Sequence, residues 1–258
     1  MNQQVALQLI QDRRWHHDFE IIPGVRTHGS FNPEGLWRKL QLPDKLNGLS
    51  LADIGASNGY FSFAARQRGA RVVAFDFRHK DNSGFGLAQY INGLGDIEHH
   101  HVNVLDISSR QYGRFDIVLA LGLLYHVPDP FRALTNCADL ARDRLLVESY
   151  CIDSLLPPPL ATSPVMRFIP DPERFPDQGQ PNSDRTNFWG FTSDCLRRLL
   201  EELGFSVNRT MKSSDRVLLD ASRVDSDGGA VRQSRAYGIM AREPVGANSS
   251  DPAAWKMF

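Results

Sequence analysis

Residues 50–76 read SLADIGASNGYFSFAARQRGARVVAFD. A short apolar run ends in Asp53 and breaks at Gly55-Ala56-Ser57-Asn58-Gly59. Phe61, Ala64 and Ala65 then recur at helical spacing, and a second apolar run, Arg71 to Phe75, ends in Asp76. The order is strand, tight glycine turn, helix, strand and acid. Glycines suit such a turn because the backbone must approach a ligand closely, and a helix amino terminus favours electronegative groups. An acid about 20 residues beyond the turn is placed to hold ribose hydroxyls. The stretch points to a nucleoside-containing cofactor, against the plainer reading of an ordinary loop in an α/β sheet.

Spacing separates the cofactor classes. A dinucleotide fold wants G-x-G-x-x-G, so that its second glycine admits a pyrophosphate. Here Ser57 stands at that second glycine and the third is absent, which leaves Asp53-x-Gly55-x-Ser57-x-Gly59. This resembles motif I of the class I S-adenosylmethionine-dependent methyltransferases, [DE]-x-G-x-G-x-G, with a departure only at the middle glycine. The resemblance implies S-adenosylmethionine as cofactor and S-adenosylhomocysteine as product. It also implies a Rossmann-like α/β sheet of seven strands, order 3-2-1-4-5-7-6, with the seventh antiparallel and helices on both faces.

Composition sets the bounds. The chain has 258 residues, 41% of them hydrophobic and 23% charged, ordinary values for a soluble globular protein. Lys plus Arg (29) nearly balances Asp plus Glu (30), so no global field draws it to nucleic acid or membrane. Cys137, Cys151 and Cys195 form no CxxC pair and no zinc spacing, which fits reduced thiols in a cytoplasmic protein. The amino terminus lacks the order of a signal peptide, and the apolar stretch from Phe115 to Val127 is interrupted by Asp116 and His126.

Strands are expected at 50–54, 71–76, 98–104, 115–120, 143–149, 205–212 and 236–242, the last two flanking a polar loop from Ser222 to Ser234. Helices are expected near 3–13, 33–40, 59–68, 84–94, 130–141 and 193–203, with Trp15 to Gly29 irregular. Strands alternating with helical stretches mark a parallel sheet covered on both faces. Residues 157–181 hold eight of the chain's 15 prolines and read as a lid on the substrate side. The organisation expected is an amino-terminal segment over 1–48, a methyltransferase domain over 49–243 with a proline-rich insertion at 151–190, and a flexible tail over 244–258.

After the fourth strand comes Leu121-Gly-Leu-Leu-Tyr125-His126-Val-Pro-Asp-Pro130. This resembles the branch of the tRNA wobble-uridine carboxymethyltransferases, as do Trp15-x-His17 with Gly24-x-x-Thr27-x-Gly29, and Asn187-Phe-Trp189-Gly-Phe-Thr192. The resemblance implies a cofactor site of Asp53, Gly55, Ala56, Ser57, Gly59, Asp76, Phe77, Asp106, Ile107, Leu121 and Tyr125. Asp106 either faces the adenine amino group or caps a turn. Arg235 resembles an arginine that the branch uses on a carboxylated cofactor. For the lysine of that branch the entry segment offers only Arg13, Arg14 and Arg26, and basic residues such as Arg197, Arg198, Arg209, Lys212 and Arg216 are diluted by acids. A small-molecule acceptor is therefore favoured over RNA.

His126 is the first candidate base, because an imidazole titrates near neutrality; its alternative is a structural bond to a carbonyl. His17 is the second, with packing beside Trp15 as its alternative. Glu148 and Trp189 are candidates for orienting the acceptor, or for ending a strand and anchoring a helix. His99, His100 and His101 alternate faces along a strand, so no metal site is expected. Methyl transfer to oxygen or nitrogen of a small metabolite or glycoside is the reading that follows. Its alternatives are uridine modification in tRNA, nicotinamide chemistry and cofactor binding without catalysis.

Overall fold

The computed structural model describes residues 2–171, 173–174 and 185–224. Five strands run parallel: β1 (Ser50–Ile54), β2 (Arg71–Asp76), β3 (Glu98–His101), β4 (Phe115–Leu121) and β5 (Ala141–Tyr150). A hairpin, β6 (Phe205–Ser213) and β7 (Arg216–Arg223), completes the sheet of seven in the order β3-β2-β1-β4-β5-β7-β6. β7 is antiparallel to both its neighbours. This is the order and the direction that the motif I resemblance implies.

Side chains alternate across each strand, so the sheet feeds two cores. Ala52, Ile54, Val118, Ala120, Leu145 and Val147 face one of them, while Leu51, Ile117, Leu119 and Leu146 face the other. Both faces are covered, which is why these strands read as unbroken apolar runs. The longer helices are α1 (Gln3–Gln11), α2 (Glu34–Leu40), α3 (Tyr60–Gln67), α4 (Phe85–Asn92), α5 (Pro130–Leu140) and α6 (Ser193–Glu202). Residues of α5 and α6 fill the first core, and residues of α1 to α4 the second. Thr192 caps α6 by accepting from the Cys195 amide at 3.2 Å, as expected of a threonine before an amphipathic run.

Three segments differ from the sequence reading. The strand that pairs with β6 and completes the sheet lies at 216–223, and the range 236–242, where it was expected, falls outside the described residues. Ser214 and Asp215 make a tight turn after β6, and Val217, Leu219 and Ala221 then alternate into the core. Asp220 hides that pattern. It is buried because Arg144 forks onto it at 2.8 and 2.7 Å and Arg209 reaches it at 3.3 Å. Second, the stretch expected to be irregular after Trp15 contains a small hairpin, Glu20–Ile22 with Val25–Arg26, turned at Gly24 and packed through Phe19, Ile21 and Val25. Third, the proline-rich region is anchored in its described part: Met166–Phe168 pairs with Trp189–Phe191, and Ile169 is buried in the first core. Among the described residues no helix is long and apolar enough to cross a membrane.

Candidate active site

The loop after β1 turns left-handed at every second residue: Gly55 (φ +80°), Ser57 (φ +51°) and Gly59 (φ +90°). Such a conformation favours glycine, so the D-x-G-x-S-x-G spacing is a backbone requirement. Ser57 meets it with help. Its amide donates to Asp76 Oδ2 at 2.7 Å, and its hydroxyl accepts from Arg78 Nη2 at 3.2 Å. Asp76 Oδ1 accepts from the Arg78 amide at 2.8 Å, so one buried carboxylate joins the end of β2 to the glycine loop. A methyl on Gly59 would meet Phe63 Cζ at 2.6 Å and Phe85 Cδ2 at 2.7 Å, whereas one on Gly55 would approach Leu123 no closer than 3.4 Å.

This loop forms the floor of a cleft of about 1460 Å³ at the carboxyl ends of the parallel strands. Ligands of open α/β sheets bind at that edge, and the volume exceeds what one small ligand occupies. The amino-terminal segment roofs it. Asn58 Oδ1 accepts from the amides of His16 and His17 at 2.8 and 3.0 Å, and its Nδ2 donates to the Ser83 carbonyl. His17 lines the cleft at only 4% exposure, and its Nδ1 has no hydrogen-bond partner among the described residues. Burial, reinforced by His16 and Arg78, holds its pKa down to about 3. Such a ring stays neutral near pH 7 and is a poor proton acceptor, which corrects His17 as a general base. It remains a buried hydrogen-bonding group in the cleft lining.

The opposite wall follows β4. Tyr125 and His126 both line the cleft, their rings 4.0 Å apart. His126 Nδ1 lies 3.1 Å from the Thr186 carbonyl and 2.9 Å from its hydroxyl. Both contacts hold the ring by its Nδ1 edge; the carbonyl accepts from Nδ1 in one tautomer and the hydroxyl donates to it in the other. Glu148, buried at the end of β5, is gripped by Arg216 through Nε at 2.5 Å and Nη2 at 2.6 Å. The same guanidinium lies 4.7 Å from the centre of the Tyr125 ring. Arg216 is thus a site residue that sequence reasoning had counted only as dilute surface charge. The turn at Ser214-Asp215, which puts it beside the end of β5, was its signal.

Several expected site residues stand elsewhere. Asp53 is buried away from the cleft lining, where its carboxylate accepts from Ser62 Oγ at 2.6 Å; burial raises its pKa to about 6. It ties β1 to α3. Ala56 and Gly59 pack inward, and Ile107 belongs to the first core. Asp106 points outward to Arg132 at 3.4 Å, and Val102, Asn103 and Val104 line the cleft at that strand end instead. The short helical turn Val104–Asp106 rotates the acid away. Trp189 donates to the Pro128 carbonyl at 3.2 Å and packs on Phe168 outside the cleft, so it anchors the wall while Phe188 lines it. Gly55, Ser57, Asp76, Phe77, Leu121, Tyr125, His126 and Glu148 do come together around the cleft. Arg235 lies outside the described residues. The three consecutive histidines part as expected: His99 packs on Phe85, His100 on Phe75 and His101 against His79.

A family model described as a methyltransferase domain matches residues 33–210, more than half of the chain. The chain belongs to this methyltransferase-domain family. Its similar sequences include the ubiquinone biosynthesis O-methyltransferase of Leptothrix cholodnii, 29% identical over 128 residues, 45% of this chain and 54% of that protein. The enzyme of the same name from Bordetella avium is 32% identical over 130 residues, 50% of this chain and 52% of that protein. The chain spans about half the length of the curated relatives it matches. Among solved structures, the N-terminal domain of EvdMO1, crystallised in the presence of SAH and D-fucose, gives a TM-score of 0.62 at 19% identity, covering 86% of this chain and 97% of that one. Magnesium protoporphyrin IX methyltransferase (ChlM) from Synechocystis PCC 6803, with bound SAM, gives 0.51 at 21% identity, with coverages of 74% and 77%. These likenesses establish the fold of the methyltransferase domain.

Proposed function

We propose that this methyltransferase domain transfers a methyl group from S-adenosylmethionine to an oxygen or nitrogen of a small metabolite or glycoside. One observation carries the reading: the left-handed loop at Gly55, Ser57 and Gly59, clamped by the Asp76 carboxylate, at the floor of a cleft large enough for two ligands. The residues present fit the cofactor. Asp76 keeps lone pairs beyond those used by two amides, Gly55 leaves room for close approach, and His17 Nδ1 is a buried polar atom lacking a partner. Asp76 would hold the ribose hydroxyls, Phe77 and the Val102–Val104 segment the adenine end, and Leu121 and Tyr125 the rim near the methyl. SAM or SAH accompanies the two solved proteins named above, which supports the same cofactor here.

When bound, the cofactor supplies a methyl group already activated by its sulfonium. The protein must then align the nucleophile and exclude water. The roof from the amino-terminal segment and the wall at Phe188 exclude solvent. His126, its ring held by Thr186, takes the acceptor's proton. His126→Gln keeps the hydrogen bond and removes the titration, so kcat falls by about 10²–10⁴ while SAH affinity is unchanged. Unchanged turnover would make His126 structural. Calorimetry with SAH and NAD⁺ checks the cofactor itself: SAH binds and NAD⁺ does not, and the reverse result overturns the proposal. The similar sequences named above are O-methyltransferases, which supports oxygen as the methylated atom and lends no support to the tRNA-uridine branch.

A further inference from the structure

The cleft has two ends. The end described so far surrounds Ser57 and Asp76, with Arg78 beside both. The other is bounded by α2, by the β6–β7 hairpin and by Tyr125 with Glu148. The carboxyl terminus of α2 is held against β6, because Arg209 Nη2 donates to the carbonyls of Lys39 at 2.9 Å and Leu40 at 3.3 Å. Lys39, Lys212 and Arg216 line this end, against the single carboxylate of Glu148. Glu148 is already spent on Arg216, with both oxygens engaged. Lys212 is paired with Asp153, which lies outside the cleft lining. Lys39 is half-buried and has no acidic partner among the described residues.

With those two pairs counted, Lys39 is left at this end without a carboxylate among the described residues, in a chain whose net charge is −1. Leu36, Met211 and Leu218 flank it and lower the local dielectric, so a lysine without a counter-charge counts for more there than at an open surface.

Resting on the methyl-transfer reading above, we propose that the acceptor carries an anionic oxygen group, a carboxylate or a phosphate, bound by Lys39 at the end of the cleft beside the Arg216–Glu148 pair. The protein loaded with SAH is titrated calorimetrically with two matched pairs, 4-hydroxybenzoate against its methyl ester and glucose 6-phosphate against glucose. At least one anion binds about tenfold or more tighter than its neutral partner, and that preference shrinks as salt is raised. The pair that responds tells carboxylate from phosphate. Lys39→Met lowers the anion's affinity about tenfold with SAH affinity kept, and Lys39→Arg restores most of it. The proposal is overturned if neither anion outbinds its neutral partner, or if Lys39→Met leaves anion binding unchanged. Absence of SAH binding sinks the methyl-transfer reading as well, whereas SAH binding without an anion preference sinks only this one.

Discussion

Gly55, Ser57 and Gly59 all turn left-handed, yet only Ser57 carries a side chain, because its hydroxyl finds Arg78 whereas a methyl on Gly59 would strike Phe63 and Phe85. Gly59→Ala therefore combines backbone strain with overpacking of a buried aromatic contact. A loss of about 2–4 kcal/mol in urea unfolding is expected, and a loss below about 1 kcal/mol would mean that the rings move aside freely. His17 makes a different kind of prediction. Its folded pKa lies at about 3 against an ordinary 6.5, so the unfolded chain takes up the proton first. The stability it contributes is complete above pH 6.5 and is lost as pH falls toward 3, at about 1.4 kcal/mol per unit. Asp53 works the other way, since its raised pKa makes the fold regain stability as pH falls from about 6 toward 3.8. The two overlap, so the measurement is a difference. Between pH 7 and pH 5, His17→Gln should lose about 2 kcal/mol less than the unaltered chain. Equal losses would show that His17 titrates normally.

The roof of the cleft depends on one side chain at the join of two elements. Asn58 sits inside the glycine loop, yet its hydrogen bonds reach the amides of His16 and His17 and the carbonyl of Ser83. Asn58→Ala leaves buried amides unsatisfied, each costing about 1–3 kcal/mol, and releases the segment around Arg13 and Arg14. Trypsin should then cut there well before the rest of the domain, and an unchanged cleavage pattern would assign the roof to the packing of Trp15 and Phe19. Nothing at position 58 announced this role, because the partner amides lie about forty residues earlier and carry no side-chain signature. What was legible followed from local rules. The core strands were continuous apolar runs, the left-handed loop showed in its glycines, and the cap of α6 showed in Thr192. What was not legible depended on contacts distant in sequence. Asp220 interrupts β7 only until Arg144 is seen beside it, and Asp106 looks like an adenine contact until a helical turn rotates it toward Arg132.

The cleft is walled by both layers of the protein, the amino-terminal segment on one side and the β4–β7 half of the sheet on the other. A ligand seated there touches both, so binding and global stability are linked. With SAH at about 100 times its Kd the folded state gains about 2.7 kcal/mol. For a domain of this size that is an increase in Tm of about 5–10 °C. Asp76 belongs to both terms, because its carboxylate already holds the amides of Ser57 and Arg78. Asp76→Ala should lower the Tm of the unliganded protein as well as its response to SAH, so it cannot separate binding from folding. Asp76→Asn separates them. The amide oxygen still accepts from Ser57 and only the bond from the Arg78 amide is lost, while the charge that would bind the ribose hydroxyls is gone, at a cost of about 1.5–3 kcal/mol of binding. The unliganded Asn variant should melt closer to the unaltered chain than the Ala variant does, and its response to SAH at a fixed concentration should shrink by several degrees. A full response in the Asn variant would confine Asp76 to clamping the loop, and the cofactor's hydroxyls would then need another partner in the cleft.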